Sequence, residues 1–231
     1  MPSFATPAPP SVAPAPVLEP AALPPREEQA NAASHALGLL AVLASVPVLG
    51  AAGHWRSSPV HGAGLGIFIA SMLLMFAASA LFHALPAGRG RDWMRRVDHA
   101  AIFVAIAGSY TPFALSQMAT LPAAAYDGLL AVWCVAVTGV WLKLTGRLRG
   151  KHASTVLYLA FGWLVAAHAL PLLERLPAAG LALMLAGGLA YSAGSLFFLL
   201  DRRLRFGHLV WHLFVIAGSG CHLGAVLHLA G

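Results

Sequence analysis

Two histidines, His208 and His212, stand four residues apart at the head of a long apolar run, FGHLVWHLFVIAGSGCHL over residues 206–223. At helical pitch this spacing puts both imidazoles on one face, roughly 6 Å apart along the axis. Two ring nitrogens so placed can hold one metal ion, with Zn–N contacts of about 2.0–2.1 Å. Ionisable groups in a lipid-embedded helix are costly and keep partners, so the pair asks for a third ligand and a water-handling group at the same depth. Ser79 and His83 form a second i,i+4 pair at the end of another apolar run, and Asp98-His99 opens a third.

Three neutral imidazoles, His83, His208 and His212, with one open position would match a catalytic zinc, whereas structural sites close all four positions with protein ligands. A zinc ion so held brings water into the ionising range near neutral pH. Asp98 is then placed to accept a proton from that water or to orient it. Ser79 is placed to donate a hydrogen bond to the water or to a developing oxyanion. Each residue alone has a plainer use, Asp98 as a helix N-cap and Ser79 as a small residue at a helix contact. Their agreement in depth with the three histidines favours the metal site.

The other histidines fit less well. His222 lies ten residues beyond His212, about 15 Å further along a helix and out of reach of the same ion. His99 is turned about 100° from Asp98, which suits a supporting role more than ligation. His168 falls mid-span, His54, His61 and His152 fall in connections, and His228 falls near a helix end. His35 opens the first apolar run and is left out of the ligand set.

These residues need helices to position them. Of 231 residues, 59% are hydrophobic and only 10% charged, against about 25% charged in a soluble domain. This is the composition of an integral membrane protein. Apolar runs recur at about 34–53, 62–85, 98–118, 124–144, 155–173, 178–200 and 208–229, each near the ~20 residues needed to cross a ~30 Å hydrocarbon core. The expected fold is an all-α bundle of seven transmembrane helices over residues 33–231. Residues 1–32, rich in Pro and Ala, read as a disordered cytoplasmic tail that lacks the basic start and apolar core of a secretory signal. Cys134 and Cys221 sit in separate apolar runs and read as buried small residues.

The basic residues orient the bundle. Eleven of the 14 Lys and Arg fall in the second, fourth and sixth connections, with Arg56 and Arg175 on the opposite side. The positive-inside rule then places the N-terminus and the histidine-bearing ends in the cytoplasm and the C-terminus outside. The net charge of +6 is thereby a topology signal, and no nucleic-acid partner is needed to explain it.

At these residues the chain resembles the hemolysin III family, the bacterial branch of the progestin and adipoQ receptor proteins. The resemblance lies in Ser79-x-x-x-His83, in the block from Arg96-Val-Asp98-His99 to Thr111-Pro112, and in His208-Leu-Val-Trp-His212 with its following Leu-Phe-Val-Ile-Ala-Gly. It covers nearly everything after the tail. It implies a bacterial inner-membrane protein with zinc held by three histidines at the positions of His83, His208 and His212, and with Ser79 and Asp98 beside it. The wider group includes alkaline ceramidases, which implies amide hydrolysis on a membrane lipid. Phe82 stands where the family pattern has Tyr, so any role of that phenol is absent here. Three functional classes follow: a zinc-dependent hydrolase of a lipid amide or ester, a non-catalytic sensor or membrane-homeostasis protein with structural zinc, and a pore-forming haemolysin. The chain shows no extra amphipathic helix or long surface segment to line a pore, so the third class ranks last.

Overall fold

The computed structural model describes residues 24–53, 58–118, 122–173 and 176–230. They form seven helices: α1 (Pro25–Ala51), α2 (Pro59–Ala84), α3 (Arg89–Ser116), α4 (Pro122–Leu144), α5 (Lys151–Leu173), α6 (Ala178–Leu200) and α7 (Gly207–Leu227), with a closing 3₁₀ turn at His228–Ala230. No strand occurs among the described residues. Among the described residues α1, α2, α3, α4 from Ala125, α6 and α7 are long and apolar enough to cross a membrane. Leu37, Leu164, Leu189 and Leu196 point outward and are exposed, as side chains facing lipid rather than water would be.

Local chemistry sets the ends. Pro25 opens α1 with Glu27 and Glu28 in its first turn, where a missing N–H costs nothing and acid faces the helix dipole. At α2 the Ser58 hydroxyl accepts the His61 backbone N–H at 3.0 Å, a direct N-cap. α2 and α3 pack most closely, because Gly108 leaves space that a methyl group could not share. A Cβ there would lie 2.1 Å from Ser71 Oγ. Around that contact the core holds Leu65, Phe68 and Phe76 of α2 against Ala107, Tyr110 and Phe113 of α3. α6 pairs as closely with α7, while α5 meets α3 and α6 only sparsely.

Cross-links show that successive helices alternate in direction. Glu28 near the start of α1 meets His83 at the end of α2 and Arg91 at the start of α3. Lys143 at the end of α4 donates to Ser154 near the start of α5 at 2.5 Å. Lys151, first in α5, pairs with Asp201 just past α6. One end of the bundle therefore gathers the start of each odd helix and the end of each even one.

Three expectations are corrected. Residues 25–32 of the expected tail are the first two turns of α1, opened by a proline and docked so that Glu27 and Asn31 are buried, with Glu27 accepting the Phe206 backbone N–H. α3 starts at Arg89 instead of Asp98; its first polar turns run outside the apolar stretch and still form helix, so Asp98 is not an N-cap. Lys143, counted with the fourth connection, lies in the last turn of α4 and is buried. Residues 1–23, and with them most of the tail, lie outside the described residues, as do His54, Arg56 and Arg175.

Candidate metal centre

His83 comes from the last turn of α2, and His208 and His212 come from the first two turns of α7. Their ligand atoms all lie within 4.8 Å of one another. Ring centroids are 5.0 Å apart for His83–His208 and for His83–His212, and 4.8 Å for His208–His212. Three buried imidazoles this close could hold a metal ion.

Their outward contacts fix which nitrogen faces inward. His83 Nδ1 lies 2.6 Å from Glu28 Oε2, and His208 Nδ1 lies 3.0 Å from Asp201 Oδ2. His212 Nδ1 lies 2.9 Å from Ser34 Oγ and 3.2 Å from the Asn31 carbonyl. Ser34 spends its own proton on that carbonyl, at 2.8 Å. Carboxylates and a carbonyl only accept, and Ser34 has no proton left to give, so each Nδ1 carries the N–H. Each Nε2 is then a free lone pair. The Nε2 of His83 is buried without a hydrogen-bond partner. An imidazole held through one nitrogen by a carboxylate or carbonyl, its other nitrogen bare, is the usual form of a metal-bound histidine. The donor set fits zinc on this chemistry.

The supporting carboxylates are themselves anchored. Glu28 accepts from Arg91 Nη2 at 2.5 Å through its second oxygen. Asp201 accepts from Lys151 Nζ at 2.5 Å. Burial alone would raise the Asp201 carboxyl, but the hydrogen bonds from His208 and Lys151 outweigh it and hold the group below its ordinary value. Glu27 accepts the backbone N–H of Phe206 at 3.2 Å. Phe206 is left-handed at φ 56° and leads straight into the histidine-bearing helix.

Ser79 and Asp98 face each other across α2 and α3. Both line the cavity that also takes in His208 and His212. Ser79 sits one helical turn before His83, as expected, and Asp98 lies well inside α3. His99 lines the same cavity, and its carbonyl accepts from Tyr158 Oη at 2.8 Å. His35, left out of the ligand set, stacks on His212 with centroids 3.5 Å apart and planes 10° from parallel. Its two nitrogens are buried and lack hydrogen-bond partners.

Glu28, Asn31, Ser34 and Asp201 escape the sequence reading. For the first three a signal exists: Pro25, then two glutamates, then an apolar run, is a helix start. Asp201 is an acidic residue in a basic connection, and its distance from His208 is set by a turn rather than by a periodic element.

Residues 25–223 match the family described as "Haemolysin-III related". The chain is 36% identical over 208 residues to the "Hemolysin-3 homolog" of Bacillus subtilis (strain 168), covering 87% of this chain and 93% of that one. It is 37% identical over 205 residues to "Hemolysin-3" of Bacillus cereus, covering 87% and 91%. The similarity reaches animals: the human "Monocyte to macrophage differentiation factor" is 27% identical over 167 residues, 69% of this chain and 67% of that protein. With six helices among the described residues fit to cross a bilayer and the two Bacillus relatives aligned over nearly their whole length, the chain is a multi-pass membrane protein of the haemolysin III family.

Proposed function

We propose that the protein is a zinc-dependent hydrolase of an amide or ester in a membrane lipid, with the ion held by His83, His208 and His212. The observation that carries this reading is the Ser79–Asp98 pair, which lines the same cavity as two of the histidines yet supports none of them. A zinc ion there would supply Lewis-acid polarisation of the scissile carbonyl and make water more acidic. Asp98 takes the proton from the attacking water as it adds to the carbonyl carbon. It then delivers that proton to the departing nitrogen or oxygen as the C–N or C–O bond breaks. Ser79 directs its hydroxyl to Asp98 and so positions the carboxylate.

A second reading has an observation of its own. Glu28–His83, Ser34–His212 and Asp201–His208 tie the starts of α1 and α7 to the ends of α2 and α6. An ion at their centre would staple four helices, which favours a structural zinc in a sensor or membrane-homeostasis protein. Asp98→Asn separates the two. In a hydrolase it keeps the zinc and lowers turnover on the order of 10²–10⁴-fold, so an uncleaved lipid accumulates in cells and falls when wild type is restored. In a structural site the same variant has full metal and a wild-type lipid profile, and that result would sink the enzyme.

The end of the bundle that holds the histidines carries the Arg-rich connections, and we place it at the cytoplasmic face of the bacterial inner membrane. A reporter joined after Gly231 is then active only in the periplasm, and one inserted near Arg147 only in the cytoplasm. The opposite pattern moves the metal centre to the outer face.

A further inference from the structure

His222 is a buried titratable side chain for which the proposed chemistry has no use. It sits on α7 ten residues past His212, about 15 Å along the helix. It nevertheless lines the cavity of the histidine cluster. A second cavity adjoins the first, and the two share Ile106, Ser109, Leu159, Tyr191 and His222. His222 therefore stands at the junction of one long crevice that begins at His208.

The fold makes room for this imidazole at a helix contact. A Cβ on Gly187 of α6 would lie 2.3 Å from His222 Cδ2, and one on Gly218 of α7 would lie 2.9 Å from the Tyr191 ring. Each ring thus rests on the backbone of the opposite helix. The two rings meet edge to face, with centroids 5.3 Å apart. Tyr191 is satisfied elsewhere, its hydroxyl 2.9 Å from Ser219 Oγ. His222 is not: neither ring nitrogen has a hydrogen-bond partner. The Met184 carbonyl faces the ring without completing a bond, and it can take only the single N–H of a neutral imidazole. The ring's lone pair is left without a donor in a crevice whose other walls are mostly apolar. An unmet buried acceptor carries its full desolvation penalty, and the group that relieves it has to bring an O–H or N–H.

We propose that His222 recognises a hydrogen-bond donor on the tail of the bound amphiphile, a hydroxyl or amide N–H about 15 Å from the group at the histidine cluster. That span corresponds to roughly a dozen carbons in an extended chain with bonds of about 1.5 Å. The inference rests on the lipid-hydrolase reading for what occupies the histidine end. It narrows the substrate class to lipids with a polar group well down one chain.

The test is binding of 12-hydroxydodecanoate and dodecanoate to the purified, zinc-loaded full chain, followed by titration calorimetry. Wild type should bind the hydroxy acid about tenfold more tightly, the worth of one well-made buried hydrogen bond. A crevice without an acceptor would instead prefer the unsubstituted chain. His222→Leu should bind dodecanoate as wild type does and lose or reverse the preference. His222→Gln, whose amide oxygen still accepts, should keep part of it. Unchanged zinc content and dodecanoate affinity certify that the leucine variant is folded. Equal affinities in wild type, or a preference that survives His222→Leu, would overturn the inference and leave the hydrolase reading standing. If wild type binds neither acid, the inference falls, and the hydrolase reading is decided by Asp98→Asn alone. If the preference and its loss are seen but no lipid accumulates with Asp98→Asn, the recognition site stands and only the hydrolase is lost.

Discussion

Helix α7 carries His212 and His222 ten residues apart, both buried and both on the wall of one cavity. Their surroundings are opposite. His212 has its Nδ1 bound by Ser34 and Asn31 of α1, and three more imidazoles surround it, His35 stacked at 3.5 Å, His208 at 4.8 Å and His83 at 5.0 Å. Among the described residues His222 has a tyrosine ring at its edge, no imidazole in ring contact and no hydrogen bond at either nitrogen. Residue type and burial do not distinguish them. What distinguishes them is whether a fixed acceptor holds one nitrogen so that the other is presented, bare, to two like neighbours.

The sharpest break of this contrast is truncation at each position. His212→Ala should lose most of the zinc from purified protein by elemental analysis, because two imidazoles remain where three converged. His222→Ala should keep close to one zinc per chain. Full retention in the first variant, or loss in the second, would erase the distinction.

Next comes removal of a supporting acceptor. Asp201→Ala deprives His208 of its only hydrogen bond among the described residues and leaves Lys151 without its carboxylate. Such partners are typically worth 10–100-fold in metal affinity. Competition with a zinc chelator should show a loss in that range, with His208 itself intact. An unchanged affinity would mean that the three rings are held by packing alone.

The contrast also marks how far the sequence could be read. Seven helices followed from apolar runs of spanning length, and the histidine triad followed from two i,i+4 pairs judged to lie at one depth. Helix starts were read less well, in both cases because the apolar stretch was taken for the helix. α1 and α3 each begin nine residues before the expected position, in polar turns that hydropathy discounts. Those turns hold Glu28, Asn31 and Arg91, so the same discrepancy conceals part of the histidine cluster's outer contacts. Glu28 is 55 residues from His83, and Ser34 is 178 from His212. Spacing along one chain segment cannot reveal such pairs; only the packing of α1 against α2 and α7 brings them together. Helical rise separates His222 from the other three histidines, but the crevice it lines forms between helices and leaves no periodic trace.

The smallest expected effect is the most discriminating, because it asks which acceptor holds His212. Ser34 Oγ is nearer, at 2.9 Å, but the Asn31 carbonyl at 3.2 Å is a backbone group that no side-chain change removes. Ser34 also donates to that same carbonyl at 2.8 Å, so it competes for a lone pair while it accepts from the ring. Ser34→Ala removes one neutral hydrogen bond and frees the carbonyl to take the imidazole N–H undivided. The net loss should be at most about 1 kcal/mol, or about fivefold in zinc affinity, well short of Asp201→Ala. The tautomer stays the same, because an acceptor still faces Nδ1. A loss as large as that of Asp201→Ala would show that the serine, not the carbonyl, fixes the ring. In that case the neutral contact at His212 would matter as much as the carboxylates at His83 and His208, and charge would not be what readies these histidines for a metal.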